Sequence, residues 1–178
     1  MKKVLLLSFS TILMAAALPA AAQSPGKFIS FGFGLEAGLP ANGARSVFNY
    51  NYSGGLTLRF ALHAGPGFVT LTAGGIVYVP QTIDGQNTKV ALQIPVKAGY
   101  KFIFARHFFV MGELGYSVFN YYYDKGDNTL AHTTTGGFTY APGVGFQIGV
   151  LELGVRYETI QLKPGNLSFV GLRLGFNF

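Results

Sequence analysis

Charged residues in this chain keep to one parity. In the stretch VALQIPVKAGYKF (residues 90–102), Val90, Leu92, Ile94, Val96, Ala98, Tyr100 and Phe102 form one alternate set. Gln93, Lys97 and Lys101 stand in the other, together with Pro95. Successive side chains of a β-strand point to opposite faces, so this alternation reads as a strand with one apolar and one polar face. The pattern recurs, and strands are predicted near Ile29–Leu39, Gly55–Ala64, Val69–Val79, Thr88–Phe102, Phe108–Asn120, Phe138–Ile148, Leu151–Ile160 and Leu167–Phe178. With each apolar set assigned to one face, Glu36, Arg59, Lys89, Lys97, Lys101, Glu113, Glu152, Arg156, Glu158 and Arg173 all fall on the other.

Composition decides which face looks at what. Hydrophobic residues make up 49% of the chain and charged ones 11%, too little charge for the surface of an ordinary water-soluble domain. Beyond the N-terminus no run approaches a helical membrane span, which needs about 20 apolar residues. A closed β-barrel is the other structure that satisfies every backbone polar group inside lipid. An outward charge there costs about 2–4 kcal/mol at the midplane, so the charged set is expected to face inward. The expected fold is all-β: an eight-stranded antiparallel transmembrane up-and-down β-barrel with a charged, filled interior. Short connections at 65–67, 105–107 and 149–150 alternate with longer ones at 40–54, 80–87, 121–137 and 161–166. Such asymmetry fits short periplasmic turns and longer outer loops, and an even strand count puts both termini on the periplasmic side.

The interior of an eight-stranded barrel is just wide enough to be filled by side chains. Inner-face glycines such as Gly34, Gly99, Gly115 and Gly171 leave room for long ones. The expected lumen ion network is Glu36, Arg59, Lys97, Lys101, Glu113, Glu152, Arg156, Glu158 and Arg173. A turn centred on Ala105 would set Lys97 opposite Glu113. A two-residue hairpin turn with Gly149 first would set Gln147 opposite Glu152 and Gly143 opposite Arg156. Pro95 removes a ladder donor from a wall without edges, and a bulge or a lumen water is expected to absorb the loss.

The first residues read as a targeting segment. Lys2 and Lys3 precede an apolar run from Val4 to Leu18, then Pro19 and the small-residue stretch Ala20-Ala21-Ala22. Residues 1–22 are expected to be a signal peptide and 23–178 the barrel domain. The chain has no cysteine, which excludes disulfides, thiol catalysis and a lipid-modified N-terminal Cys. Without Lys2 and Lys3, 11 basic residues face 7 acidic ones, a net of +4. That is too mild and too scattered for a nucleic-acid surface.

Several segments resemble a known family. They are the junction Ala22-Gln23, the strand with Leu92, Ile94, Pro95, Tyr100 and Phe102, the strand Val110–Tyr116, LELGVRY from Leu151 to Tyr157, and a terminal strand ending in Phe178. Together they resemble the PorT-like outer-membrane β-barrel proteins of Bacteroidota, from about Phe28 onward. The resemblance implies the outer membrane of a Gram-negative bacterium and, through a member linked to protein secretion, a secretion-accessory role. It also implies that Pro95 is a shared structural device. The ending GLRLGFNF, with Phe176 and Phe178 on one face, resembles the signal read by the barrel-assembly machinery, although Arg173 stands where that signal usually has glycine.

Support for catalysis is thin. His63, His107 and His132 are scattered, and the Thr133–Thr135 and Asp124/Asp127 neighbourhood of His132 reads as a polar loop. No cofactor, no metal site and no enzymatic activity are expected. Asn49–Tyr52 and Tyr121–Asp124 read as interfacial aromatics. The expected role is structural or interactive, through the outer loops, in a monomer among outer-membrane lipid and lipopolysaccharide. A narrow pore or transporter for small or apolar molecules is the alternative, and a lipid-modifying enzyme the third.

Overall fold

A computed structural model describes residues 28–41, 50–80, 90–124, 130–163 and 165–178. The expected signal peptide and Lys89 lie outside the described residues. Eight strands follow one another: β1 (Ile29–Pro40), β2 (Tyr50–Ala64), β3 (Gly67–Pro80), β4 (Ala91–Phe104), β5 (Phe108–Asp124), β6 (Leu130–Ile148), β7 (Leu151–Gln161) and β8 (Asn166–Asn177). Each pairs antiparallel with its sequence neighbours, and β8 pairs back to β1 to close the barrel. One circuit of partners runs Phe31, Phe60, Leu71, Ala98, Leu114, Tyr140, Thr159 and Ser168, whose carbonyl accepts from the Ala41 amide. It returns ten residues further along, a shear of ten. Strand number and stagger together set a narrow interior that side chains fill.

The two faces differ as their parity predicts. Leu35, Val96, Leu114 and Leu153 are 51–58% exposed on the outside, whereas Glu36, Lys97, Glu113 and Glu152 are 7%, 0%, 1% and 1% exposed inside. This inverts the pattern of a water-soluble protein.

At one end the strands are joined by short turns. Ala64 pairs with Gly67, so Gly65-Pro66 is a two-residue turn, one residue shorter than predicted. Gly65 (φ 60) and Gly149 (φ 56) supply the positive φ that glycine-first hairpins require. In the β4–β5 turn Phe104 pairs with Phe108, so the turn centres on Arg106 rather than Ala105. Register there is two residues off the predicted one: Glu113 faces Gly99, and Lys97 faces Gly115. Ala105 (φ 47) and Arg106 (φ 69) occupy left-handed backbone without being glycine.

The opposite end also departs from expectation. The long connection predicted at 121–137 is mostly strand, because Tyr122 pairs with His132 and Asp124 with Leu130. β-branched Thr133–Thr135 and the facing tyrosines suit extended backbone. Pairing to β4 begins at Tyr121, and pairing to β7 ends at Phe138, so among the described residues the β5–β6 ladder extends beyond the ladders on either side.

Pro95 is buried, with its side chain on the inner parity. The β3–β4 ladder runs to Ala73–Val96 and resumes at Ile76–Gln93 in unchanged register, so no bulge forms. The ladder skips the step facing Gly74 and Gly75, while Pro95 keeps its pairing with Ser117 of β5. Pro142 repeats the arrangement: β6–β7 pairing skips from Tyr140–Thr159 to Gly143–Arg156, and Pro142 still pairs with Gly112.

A left-handed conformation costs an L-residue about 1–2 kcal/mol, partly offset by the greater unfolded-state freedom of glycine. Ala105→Gly is therefore expected to raise stability by about 0.5–1 kcal/mol and Ala105→Val to lower it. Urea unfolding of the folded barrel in detergent micelles measures both.

Candidate functional site

The lumen is built in two layers. Nearer the short turns, all nine residues of the predicted ion network point inward and are buried. They form one connected structure. Arg59 bridges Glu152 (2.5 Å) and Glu113 (3.5 Å), and Lys97 bridges Glu113 (3.3 Å) and Glu158 (2.7 Å). Arg156 bridges Glu158 (2.8 Å) and Glu36 (2.8 Å), and Arg173 bridges Glu36 (2.9 Å) back to Glu152 (3.3 Å). Cations and carboxylates thus alternate around a closed ring. Lys101 is appended to Glu152 at 2.5 Å, donates to Gln147 Oε1 at 2.6 Å, and sits 4.2 Å from the centroid of the Phe109 ring.

Neutral side chains complete the carboxylates. Thr57 donates to Glu36 and Thr72 to Glu113, each at 2.6 Å, and Asn177 donates to Glu152 at 3.1 Å. Arg173 also donates to Thr57. Space for these groups comes from glycine: a Cβ on Gly34 would lie 2.4 Å from the Arg173 guanidinium carbon, and one on Gly145 would lie 2.2 Å from Phe109. The predicted Gln147–Glu152 and Gly143–Arg156 pairs are present. Lys97 meets Glu113 diagonally rather than directly across, because the turn is centred one residue later than predicted.

Away from the short turns the lumen turns apolar. Tyr50, Ile76, Tyr78, Phe119, Ile160, Leu167 and Phe169 form one buried cluster. Tyr78 is its hub, with ring centroids 5.3 Å from Tyr50, 5.6 Å from Phe119 and 5.7 Å from Phe169. Tyr50 was expected among the interfacial aromatics. A register shift between Tyr50 and Tyr52 turns Tyr50 inward and leaves Tyr52 outside. The two layers are joined by a relay: the Tyr78 hydroxyl donates to Gln93 Oε1 (2.6 Å), and Gln93 Nε2 donates to Ser117 (2.9 Å) and Glu158 (3.1 Å). Sequence reasoning did not single out this plug. Its signal was available, since most of its members continue the inner parity past the last charge of their strands.

Cavities beside the ring are small. One of about 10 Å³ lies against Arg59, Glu152 and Arg173, and one of about 60 Å³ lies at the short-turn mouth against Ser30, Lys101 and Asn177. The first is about the size one water needs. Of the histidines, His63 at the end of β2 packs edge-on against Phe68 at 5.2 Å, and Nδ1 of His107, in the β4–β5 turn, lies 3.2 Å from the Gln147 carbonyl of β6. The side chain of His132 lies outside the described residues.

Comparison with solved structures gives this architecture a context. The crystal structure of the N-terminal β-barrel domain of Pseudomonas aeruginosa OprF matches with TM-score 0.62 and 12% identity, over 84% of this chain and 97% of that one. Ail, the attachment invasion locus protein of Yersinia pestis, matches with TM-score 0.57 and 15% identity over 84% and 96%. Neisserial surface protein A matches with TM-score 0.56 and 14% identity over 85% and 96%. The fold is shared with small outer-membrane barrels. No protein-family model matches the chain, and no curated relative does.

Removing one partner of a buried ion pair leaves an uncompensated charge and costs about 3–5 kcal/mol. Glu36→Gln, which cuts the ring at Arg156 and Arg173, is expected to lose that much. Lys101→Met lies off the ring and leaves Glu152 with Arg59, Arg173 and Asn177, so a loss of about 1 kcal/mol or less is expected. Urea midpoints of the two variants, compared in one detergent, separate ring from appendage.

Proposed function

We propose that this chain is a small, non-enzymatic barrel of a Gram-negative outer membrane, with both termini periplasmic, that works by contact through its outer end. Outward faces free of charge wherever strand side chains are described, and a fold shared with outer-membrane barrels, support the location. The projecting β5–β6 hairpin carries the functional reading. Among the described residues, 130–136 of β6 have no β7 partner, so one side of that strand presents backbone donors and acceptors beyond the barrel rim. Unpaired strand edges recruit extended segments of other chains. A secretion-accessory task, suggested by the PorT-like resemblance, is one setting for such contact. Ail, the attachment invasion locus protein, crystallised in complex with the heparin analogue sucrose octasulfate, supports contact as a task for this architecture.

Assembly is expected to involve the barrel-assembly machinery reading Phe176 and Phe178. Both lie at the closing seam, where Phe33 stacks on Phe176 at 5.2 Å and Phe31 and Phe178 exchange backbone hydrogen bonds. Outer-membrane lipid and lipopolysaccharide are the expected surroundings of a monomer.

A pore is the second reading, and the ion ring and aromatic plug both stand against it. In planar bilayers the protein is expected to give no reproducible, sizeable openings, and such openings in the wild type would overturn the contact reading. Partners cross-linked on intact cells are expected to be lost when residues 122–134 are replaced by a short turn. Identical partner sets with and without the hairpin would remove it as the contact element.

A further inference from the structure

The outer face of the barrel carries a depression. Tyr100 pairs with Gly112, Gly112 with Pro142, and Tyr157 with Val170, so these residues make one row across β4–β8. Two adjacent positions of that row carry little side chain. A Cβ on Gly112 would meet nothing within 4 Å, and Pro142 offers a short ring. The result is an apolar groove of about 650 Å³ between Tyr100 and Tyr157, walled also by Val110 and Val144. Small-molecule sites occupy roughly 300–1,000 Å³.

We propose that this groove seats an acyl chain of a phospholipid whose phosphate is held by Arg106. The proposal rests on the reading that the barrel spans a membrane with its short turns toward the periplasm, where phospholipid meets the wall. Two observations point to this occupant. The first is depth: Gly112 lies six residues from Arg106, about 20 Å along a strand. Tilted by roughly 40°, that is about 15 Å along the membrane normal, of which the headgroup region takes about 5–7 Å and the acyl chain the rest. A headgroup at the turn therefore places mid-chain methylenes over Gly112.

The second observation is charge. Arg106 is exposed at the centre of the turn joining the two strands that carry Tyr100 and Gly112. A guanidinium binds phosphate oxygens in a bidentate fork. Within lipid, water exclusion contributes nothing to chain binding, so affinity comes from close packing. A groove gives a chain contacts on three sides where a flat wall gives one.

The test uses the full barrel in nanodiscs of phosphatidylcholine doped with phosphatidylglycerol, released into detergent and read by native mass spectrometry. Wild type is expected to retain one phospholipid per chain, enriched in phosphatidylglycerol. Gly112→Phe fills the groove and is expected to cut retention by about tenfold or more, equivalent to about 1.4 kcal/mol. Its folding, checked by circular dichroism and heat-modifiable gel migration, is expected to match wild type because the new side chain meets open space. Arg106→Gln is expected to abolish the enrichment while leaving a chain bound. Equal retention by wild type and Gly112→Phe overturns the proposal. So does displacement of the retained phospholipid by lipopolysaccharide in a second nanodisc arm, or a lipid-free dimer that Gly112→Phe dissociates. A folded barrel that never enters the nanodisc overturns the membrane reading itself, and with it the groove's occupant.

Discussion

A carboxylate withdrawn from water inside a protein is tolerated when cations and hydrogen-bond donors surround it. In this barrel four glutamates are in that position, and each is held by at least two cations drawn from other positions in the wall. Because the ring is closed, no segment of it is satisfied alone. Glu36 is the charge that β1 contributes, and it accepts from Arg156 of β7, Arg173 of β8 and Thr57 of β2. Docking β1 against β8 therefore closes the wall and completes the ring together. A half-satisfied network is costlier than none, so the interior favours a fully closed barrel over an open sheet.

The same ring explains how a lumen full of charge can also be filled by side chains. Ion pairs such as Arg59–Glu152 and Lys97–Glu158 join strands three apart around the wall and act as struts across the lumen. The relay from Tyr78 through Gln93 to Glu158 then ties the aromatic plug to those struts. Movement of the plug would break a hydrogen bond to a buried carboxylate of the ring. The ring leaves the β5–β6 hairpin and the outer wall unconstrained.

Much of this was legible in the sequence, for a definite reason. Period-two parity is local, so it assigned all nine network residues to the inner face and placed the strands closely. Which charge meets which is not local. Lys97 was predicted directly opposite Glu113 from a turn centred on Ala105; the turn centres on Arg106, and the pair forms along the diagonal. The cross-lumen partner of Lys97, Glu158, follows from shear and barrel diameter, which no single hairpin encodes. Tyr50 was misplaced because one bulge inverts parity beyond it. The extended hairpin was missed because threonines at 133–135 were read as polar loop rather than as β-branched strand formers.

Pro95 shows the lumen supporting the wall. Its missing amide leaves a gap in the β3–β4 ladder without any change of register. The two inward residues that bracket it, Gln93 and Lys97, both end on the Glu158 carboxylate of β7, at 3.1 Å and 2.7 Å. β4 is therefore held from inside at the level where the hydrogen bond to β3 is absent. The second gap follows the same logic with the roles reversed. Pro142 interrupts β6, and the β7 residue facing it, Tyr157, lies between Arg156 and Glu158, which reach Glu36 of β1 at 2.8 Å and Lys97 of β4 at 2.7 Å. A closed wall ordinarily excludes proline because every donor is needed. Among the described residues this wall accepts it in mid-strand at two places, where a strand bordering the gap is already fixed by charge across the lumen.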